Sequence, residues 1–212
     1  MIYLSKLVLD PYSRRVRSDI SNIYELHRTI MRAFPKDINR KASAVLFRLD
    51  HVVNRLNPNP LILVQSIVKP EWDFLENIQY LADEKIQIKT YQPIIKTGNI
   101  YRFKIHANPT RRSSKTKKLI PIVKEEELLE WIAAKGKQNG FLPDLSSILI
   151  RKNPLIQLYK KNGDENQCIS LAVTAFSGFL KITDPEKFTT GLTKGIGRGR
   201  SFGCGLLSIA KI

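Results

Sequence analysis

The chain has 212 residues, 42% of them hydrophobic, which is enough to build a packed core in one large domain or two small ones. Thirty-five Lys and Arg against 19 Asp and Glu leave a net charge of +16, a surplus that favours a polyanionic partner, nucleic acid before an anionic membrane surface. No apolar run reaches the length of a membrane span, and three histidines with two cysteines, Cys168 and Cys204, supply too few ligands at useful spacing for a structural zinc site.

In chain order, Ile2 to Leu9 is a short apolar run and predicts a strand; with no basic stretch before it, it does not read as a signal peptide. Asp10 to Asp19, with Pro11, Arg14, Arg15 and Arg17, is expected to be a loop. A helix follows: Asn22 with Glu25 three residues on fits a capping box, Ile23, Leu26, Ile30 and Phe34 form one apolar stripe, and Pro35 is expected to end it. Ala44–Leu49 and Leu61–Ser66 read as strands around Asn57-Pro58-Asn59-Pro60. Glu71–Ala82 has helical or irregular character, and Ile86–Ile95 has the composition of a strand.

Lys96-Thr97-Gly98-Asn99 is the best boundary between domains, expected at 1–95 and 99–212. Beyond it, Tyr101, Phe103, Ile105 and Ala107 alternate with Arg102, Lys104 and His106 and predict a strand ending at Asn108-Pro109. Arg111 to Lys118 is then a loop with five cations in eight residues (Arg111, Arg112, Lys115, Lys117 and Lys118) and no acid among them, which points to phosphate contacts. Glu125–Lys137 is an amphipathic helix opened by three glutamates that suit its dipole. Ser147–Lys152, Leu155–Lys161 and about Gln167–Thr174 are strand-like, with Asn162-Gly163 as a hairpin turn. Lys160 and Lys161 make a basic hairpin tip, the shape of a ribbon that enters a nucleic-acid groove; an RNA duplex admits it only at a stem end or a distortion. Phe179–Ile182 extends that strand or forms another, Pro185–Leu192 is a short helix, and Leu206–Ile212 is a final strand. Each half thus reads strand–helix–strand–strand–helix–strand, an α+β arrangement of two tandem ferredoxin-like (RRM-like) domains.

Between that last helix and strand lies GLTKGIGRGRSFGCG, which holds six of the eleven glycines: Gly191, Gly195, Gly197, Gly199, Gly203 and Gly205. Lys194, Arg198 and Arg200 are threaded through it, so exposed amides and fixed cations suit a phosphate. The spacing fits neither G-x-G-x-x-G nor a P-loop, and a helix C-cap or hairpin is the plain alternative. His27 is the leading catalytic candidate: it sits at the edge of the apolar stripe, with Tyr24 three residues before it and Arg28 and Arg32 on the adjoining polar face. His51 and His106 read as structural or solvent-facing. No carboxylate cluster suggests a two-metal nuclease, and no G-x-S-x-G elbow occurs.

Four stretches together resemble one family: Tyr3-Leu4-Ser5-Lys6-Leu7-Val8-Leu9-Asp10-Pro11, Tyr24-Glu25-Leu26-His27-Arg28, Phe103-Lys104-Ile105-His106-Ala107-Asn108-Pro109, and Gly195-Ile196-Gly197 with Arg200, Gly203 and Gly205-Leu206-Leu207. They are similar to the CasE family, the CRISPR RNA-processing endoribonucleases of the subtype I-E Cascade complex. The resemblance implies two ferredoxin-like domains and metal-independent cleavage of the CRISPR repeat RNA beneath its stem-loop, with no cofactor. It implies that His27 is the catalytic histidine and Tyr24 the active-site tyrosine. It places Arg28, Arg32 and the glycine loop (Gly195, Gly197, Arg198, Arg200) on the RNA, and Lys160-Lys161 on the stem. It also implies other Cascade subunits as partners; Cys168 and Cys204, far apart and forming no CxxC pair, point to a reducing cytoplasm. RNA carries its own nucleophile, the 2′-OH beside the scissile phosphate, so the enzyme need only align it, move protons and stabilise charge; the products would be a 2′,3′-cyclic phosphate and a 5′-hydroxyl. The competing reading is a non-catalytic RNA-binding protein of two RRM-like domains. Against it, Arg200-Ser201-Phe202-Gly203 only faintly resembles the aromatic strand motif of such domains and precedes the wrong strand.

Overall fold

The computed structural model describes residues 1–36, 44–51, 59–82, 86–153, 156–162 and 165–212. Backbone proximity divides the chain into two compact units, one of Met1–Pro93 with Ser201–Gly203, the other of Ile94–Arg200 with Cys204–Ile212.

The first unit runs β1 (Ile2–Val8), α1 (Arg14–Ser21), α2 (Ile23–Met31), β2 (Leu46–His51), β3 (Pro60–Ser66), a 3-10 turn (Asp73–Ile78) and β4 (Gln87–Tyr91). Its sheet has the order β2-β3-β1-β4, with every neighbouring pair antiparallel. This is the ferredoxin-like order, in which the first strand lies between the third and the fourth. Leu7, Leu26, Ile30, Leu46, Phe47, Ile62 and Val64 are buried at its core. Trp72 joins them, donating its indole N–H to the buried Ser5 hydroxyl on β1 at 3.0 Å.

Two expectations are corrected here. Residues 14–21, expected within or beside a loop, form α1. Only Val16 and Asp19 of this helix are buried, so its signal is masked by the arginines around them; Arg15 and Asp19, one turn apart, make an ion pair at 3.1 Å. Helix α2 stops at Met31, ahead of Pro35, because the amides of Arg32, Ala33 and Phe34 bond to carbonyls three residues back, and the last turn tightens into 3-10 geometry. The second helix of the sequence-based pattern is only the 3-10 turn at Asp73–Ile78 in this unit.

The second unit contains β5 (Ile100–Ala107), the short pair β6 (Thr110–Arg112) and β7 (Leu119–Pro121), α3 (Glu125–Gln138), β8 (Phe141–Pro143), β9 (Leu149–Lys152), the hairpin β10 (Ile156–Asn162) and β11 (Glu165–Leu171), then β12 (Thr174–Ile182), α4 (Pro185–Lys194) and β13 (Leu207–Lys211). The main sheet is β13-β5-β12-β8, again in the ferredoxin-like order, and β9 also pairs with β12. Strands β8 and β9 share the role of one broken strand: β8 pairs with residues 180–182 and β9 with 174–177 of β12. At the break Gly178 faces Ser147, whose carbonyl oxygen would lie 2.9 Å from a Cβ there, so only glycine lets the two chains approach.

Helix α3 begins with Glu125, Glu126 and Glu127 and has Lys135 and Lys137 in its last turn, so both ends complement the helix dipole. Helix α4 is capped by Asp184, which accepts from the Lys187 amide at 3.1 Å, and Pro185 occupies its first turn. Strand β5 alternates as expected, with Tyr101, Phe103, Ile105 and Ala107 buried. The basic stretch expected as a loop is held by β6 and β7, paired from Thr110↔Pro121 to Arg112↔Leu119. Among the described residues no helix is long and apolar enough to cross a membrane.

Candidate functional site

Helix α2 carries the candidate centre. Asn22 ends α1, its amide donating to the Ser18 carbonyl, and begins α2, its side chain accepting from the Tyr24 amide at 3.2 Å. The expected reciprocal half of the capping box goes elsewhere: Glu25 turns to Arg28, with Nη1 at 3.1 Å from Oε1. Arg28 is therefore held against its own helix, while its side chain stays 64% exposed. Arg32, the C-cap, lays its guanidinium 4.4 Å from the centre of the Phe74 ring. Arg28 and Arg32, expected together on the polar face, thus have separate intramolecular partners.

Tyr24 and His27 are each half-buried on this helix, between the buried stripe of Ile23, Leu26 and Ile30 and the exposed Arg28. The imidazole of His27 stacks on Phe47 of β2, with ring centroids 6.1 Å apart and planes 17° from parallel. Its Nδ1 atom is out of reach of solvent. Because Nδ1 is buried, any proton that His27 exchanges with a bound molecule passes through Nε2.

The opposite side of α2 is fixed by a buried carboxylate that sequence reasoning did not single out. Asp19, on α1, is fully buried; its Oδ2 accepts from the Thr29 hydroxyl at 2.6 Å and from the Tyr80 phenol at 2.8 Å. Arg15 Nε lies 3.1 Å from Oδ1 at an angle that makes the contact coulombic, and Arg15 Nη2 donates to the Thr29 hydroxyl at 3.2 Å. Burial first, and the neighbouring Asp19 charge second, push the Tyr80 phenol above its ordinary range, so it remains a donor. Thr29 is two residues from His27, and this network sets the rotation of the helix that presents the imidazole. The available signal was Asp19 spaced four residues from Arg15 and ten from Thr29; nothing in the pattern pointed to Tyr80.

In the second unit Arg111, Arg112, Lys115, Lys117 and Lys118 are all exposed on the β6–β7 hairpin. Arg111 ion-pairs with Glu127 of α3 at 3.2 Å, and Arg112 donates to the Lys117 carbonyl at 3.2 Å, which leaves the three lysines as the more available cations of this group. Lys160 and Lys161 lie on β10, opposite Gln167 and Asn166 of β11. The pairing reaches Asn162↔Glu165, one residue beyond the expected end of the strand; Gly163 of the expected turn lies outside the described residues. His106 is half-buried on the more polar face of β5, and the side chain of His51 lies outside the described residues.

The glycine tail is ordered rather than a free turn. Gly195 caps α4, its amide donating to the Gly191 carbonyl at 2.9 Å, which fits the plain alternative at that one position. Gly195, Gly197, Gly199, Gly203 and Gly205 all have φ between 77° and 89°. Gly205 donates to the His106 carbonyl at 2.7 Å and accepts from the Ile196 amide at 2.9 Å; a Cβ there would sit 2.9 Å from the Ile196 carbonyl oxygen. These bonds tie the loop to β5 and leave Arg198 and Arg200 exposed on it. Gly197 rests against the Trp131 ring of α3, which stacks on Phe176 with centroids 5.9 Å apart. Cys204, also in the tail, is fully buried, and burial pushes its thiol up to about 12, so it is packed rather than reactive.

Taken together, the described residues offer a proton-transfer group at the edge of a well-anchored helix, and exposed cations in both units. That inventory suits a phosphodiester that brings its own nucleophile.

Comparison with known proteins agrees with this inventory. The chain matches the family described as CRISPR associated protein over residues 2–211. It is 31% identical over 219 residues to the CRISPR-associated endoribonuclease Cse3 of Thermus thermophilus, covering 99% of this chain and 100% of that one. It is 26% identical to the CRISPR system Cascade subunit CasE of Escherichia coli, covering all of both chains. Its fold matches a structure of CRISPR endoribonuclease Cse3 bound to 19 nt RNA with a TM-score of 0.85 and 30% identity, over 98% of this chain and 99% of the other.

Proposed function

The chain belongs to the CRISPR associated protein family, and on that premise we propose that it is an endoribonuclease that cuts CRISPR precursor RNA at the base of the repeat stem-loop and keeps the product as a Cascade subunit. Full-length similarity to an endoribonuclease and to a Cascade subunit supports the reaction and the assembly. The observation that carries the site is His27: a half-buried imidazole on a capped helix, with Nδ1 buried, which leaves Nε2 as the nitrogen for proton transfer.

In this reading the RNA's 2′-OH attacks the adjacent phosphorus, the bond to the 5′-oxygen breaks, and the products are a 2′,3′-cyclic phosphate and a 5′-hydroxyl. His27 moves a proton through Nε2, a contribution of roughly 10²–10⁴-fold. Tyr24 lines the same helix edge, and Arg28 and Arg32 meet the phosphates beside it. The step needs no cofactor, because the nucleophile comes with the substrate. The N-terminal domain, residues 1–95, provides this centre. The C-terminal domain, residues 99–212, provides phosphate contacts from Arg111, Arg112, Lys115, Lys117 and Lys118, from Lys160 and Lys161 of the β10–β11 hairpin, and from Gly195, Gly197, Arg198 and Arg200. The protein works in the cytoplasm, where its RNA is made.

The test is single-turnover cleavage of a labelled stem-loop repeat RNA in EDTA. Cutting should proceed, and a single 2′-deoxy substitution 5′ of the break should abolish it with binding nearly intact. His27→Ala should lower the rate at least about 10²-fold, with little change in folding or affinity. Binding without any cutting would favour the non-catalytic double-RRM reading; normal cutting by His27→Ala would move the active site elsewhere.

A further inference from the structure

Within the first unit, the ring that stacks on His27 is itself closely packed. Phe47 is fully buried. Its place along β2 is fixed by pairing with Val64 of β3, and the next residue, Arg48, is locked to Asp50 by guanidinium–carboxylate contacts of 3.0–3.1 Å. Gly203, grouped with this unit, comes up against the ring: a Cβ built on it would lie 3.2 Å from Phe47 Cε2 and 3.7 Å from Cδ2 and Cζ. Its φ of +77° is itself a conformation that favours glycine. The ring that stacks on the imidazole is thus also packed against a backbone position that has no side chain.

This matters because the histidine χ2 torsion, which swings Nε2, joins an sp³ to an sp² atom, and such torsions have broad wells. The torsion alone leaves the imidazole free to rock about its Cβ–Cγ bond. A flat neighbour 17° from parallel restricts that rocking, whereas an aliphatic side chain of equal volume does not.

We propose that Phe47 is a positioning residue for His27: its ring, backed by Gly203, holds the imidazole plane so that Nε2 stays aimed at the scissile group. The proposal rests on the assignment of His27 made above. Phe47 touches no substrate; it acts through His27.

The test compares wild type, Phe47→Leu, His27→Ala and Leu46→Ala on the repeat RNA, measuring maximal single-turnover rate at saturating protein, Kd, and thermal unfolding. Leu46, also fully buried on β2 but not stacked on His27, is a control for loss of core packing alone. Phe47→Leu should lower the rate about 10- to 100-fold, the scale on which about 1 Å of misplacement is felt, with Kd within about twofold of wild type at a temperature where the protein is fully folded. Leu46→Ala should lose thermal stability with a near-normal rate. Gly203→Ala, whose Cβ would crowd the Phe47 ring at 3.2 Å, should also slow cutting, and should slow it less when Phe47 is already Leu. If Phe47→Leu does not fold, Phe47→Met fills a similar volume without a plane and is read in the same way. A wild-type rate in a folded Phe47→Leu, with His27→Ala inactive, overturns this proposal alone. A rate loss equal to that of a Leu46→Ala of matched stability overturns it too. A wild-type rate in His27→Ala sinks the underlying assignment instead.

Discussion

Replacing Thr29 by Val is the cleanest probe of how the active helix is held. Valine keeps the shape and the β-branching of threonine, so the helix itself is little affected. What is lost is a buried hydroxyl that donates to Asp19 Oδ2 at 2.6 Å and accepts from Arg15 Nη2 at 3.2 Å. A hydrogen bond to a charged group contributes about 1.5–3 kcal/mol. Tyr80 still donates to the same oxygen at 2.8 Å, so Oδ2 is not orphaned, and the expected loss is about 2 kcal/mol. That is a large part of a domain stability of about 5–15 kcal/mol. Urea unfolding followed by tryptophan fluorescence reads it directly. The chain has two tryptophans, and Trp131→Phe leaves Trp72 as a reporter of the first unit alone. Because Thr29 and Tyr80 share one acceptor oxygen, Thr29→Val and Tyr80→Phe should be non-additive by at least about 0.5 kcal/mol. A Thr29→Val loss below about 0.5 kcal/mol, or strict additivity, would refute the claim that Asp19 clamps α2.

Three further outcomes follow. The Tyr80 phenol is held above its ordinary value of 10.0, by burial and then by Asp19, so the folded state keeps a proton that the unfolded chain releases at high pH. Its stabilisation is complete below about pH 10 and falls by about 1.4 kcal/mol per unit above it; urea midpoints of wild type and Tyr80→Phe should therefore converge between about pH 10 and 11, and parallel curves would contradict the burial. Lys115→Ala, Lys117→Ala and Lys118→Ala together should flatten the slope of log affinity for repeat RNA against log salt by about 2–3 units, at roughly 0.7–0.9 per phosphate contact; Lys160→Ala with Lys161→Ala should flatten it by about 1–2, and an unchanged slope places the RNA elsewhere. Gly205→Ala should lower the thermal midpoint more than an exposed-loop glycine such as Gly98→Ala, because its Cβ would meet a carbonyl oxygen at 2.9 Å whereas Gly98 has nothing within 4 Å; equal shifts would mean the tail is not pinned to β5.

Much of this molecule was legible in the residue order. Period-two alternation identified β5, and period-3.6 patterning with dipole-matched ends identified α3, because both patterns record which side of an element meets the core. The α+β element order led to the ferredoxin-like fold, and the motif around His27 led to the family. Local chemistry sufficed for these, since caps, turns and apolar stripes act over a few residues. Helix α1 escaped because its buried positions are few and one of them, Asp19, is charged; a buried charge looks like a solvated one until its partners are known. Strand β8 escaped because a three-residue piece carries too little periodicity to read, whereas its continuation β9 lies within the expected Ser147–Lys152 strand.

Residue order alone establishes that the chain is strongly basic, that it carries one histidine at the rim of an apolar stripe, and that its glycines gather before the last strand. What faces that histidine depends on the folded chain. Phe47 lies twenty positions after His27 in the chain, and Tyr80 sixty-one after Asp19, yet each pair is in contact. Folding also decided how the cations are held, setting Arg28 against Glu25, Arg32 against Phe74 and Arg111 against Glu127. The physical reason is range: helix and strand propensity are set by neighbours within a turn or two, whereas the orientation of a ring and the pairing of a charge depend on groups that folding brings together from distant parts of the chain.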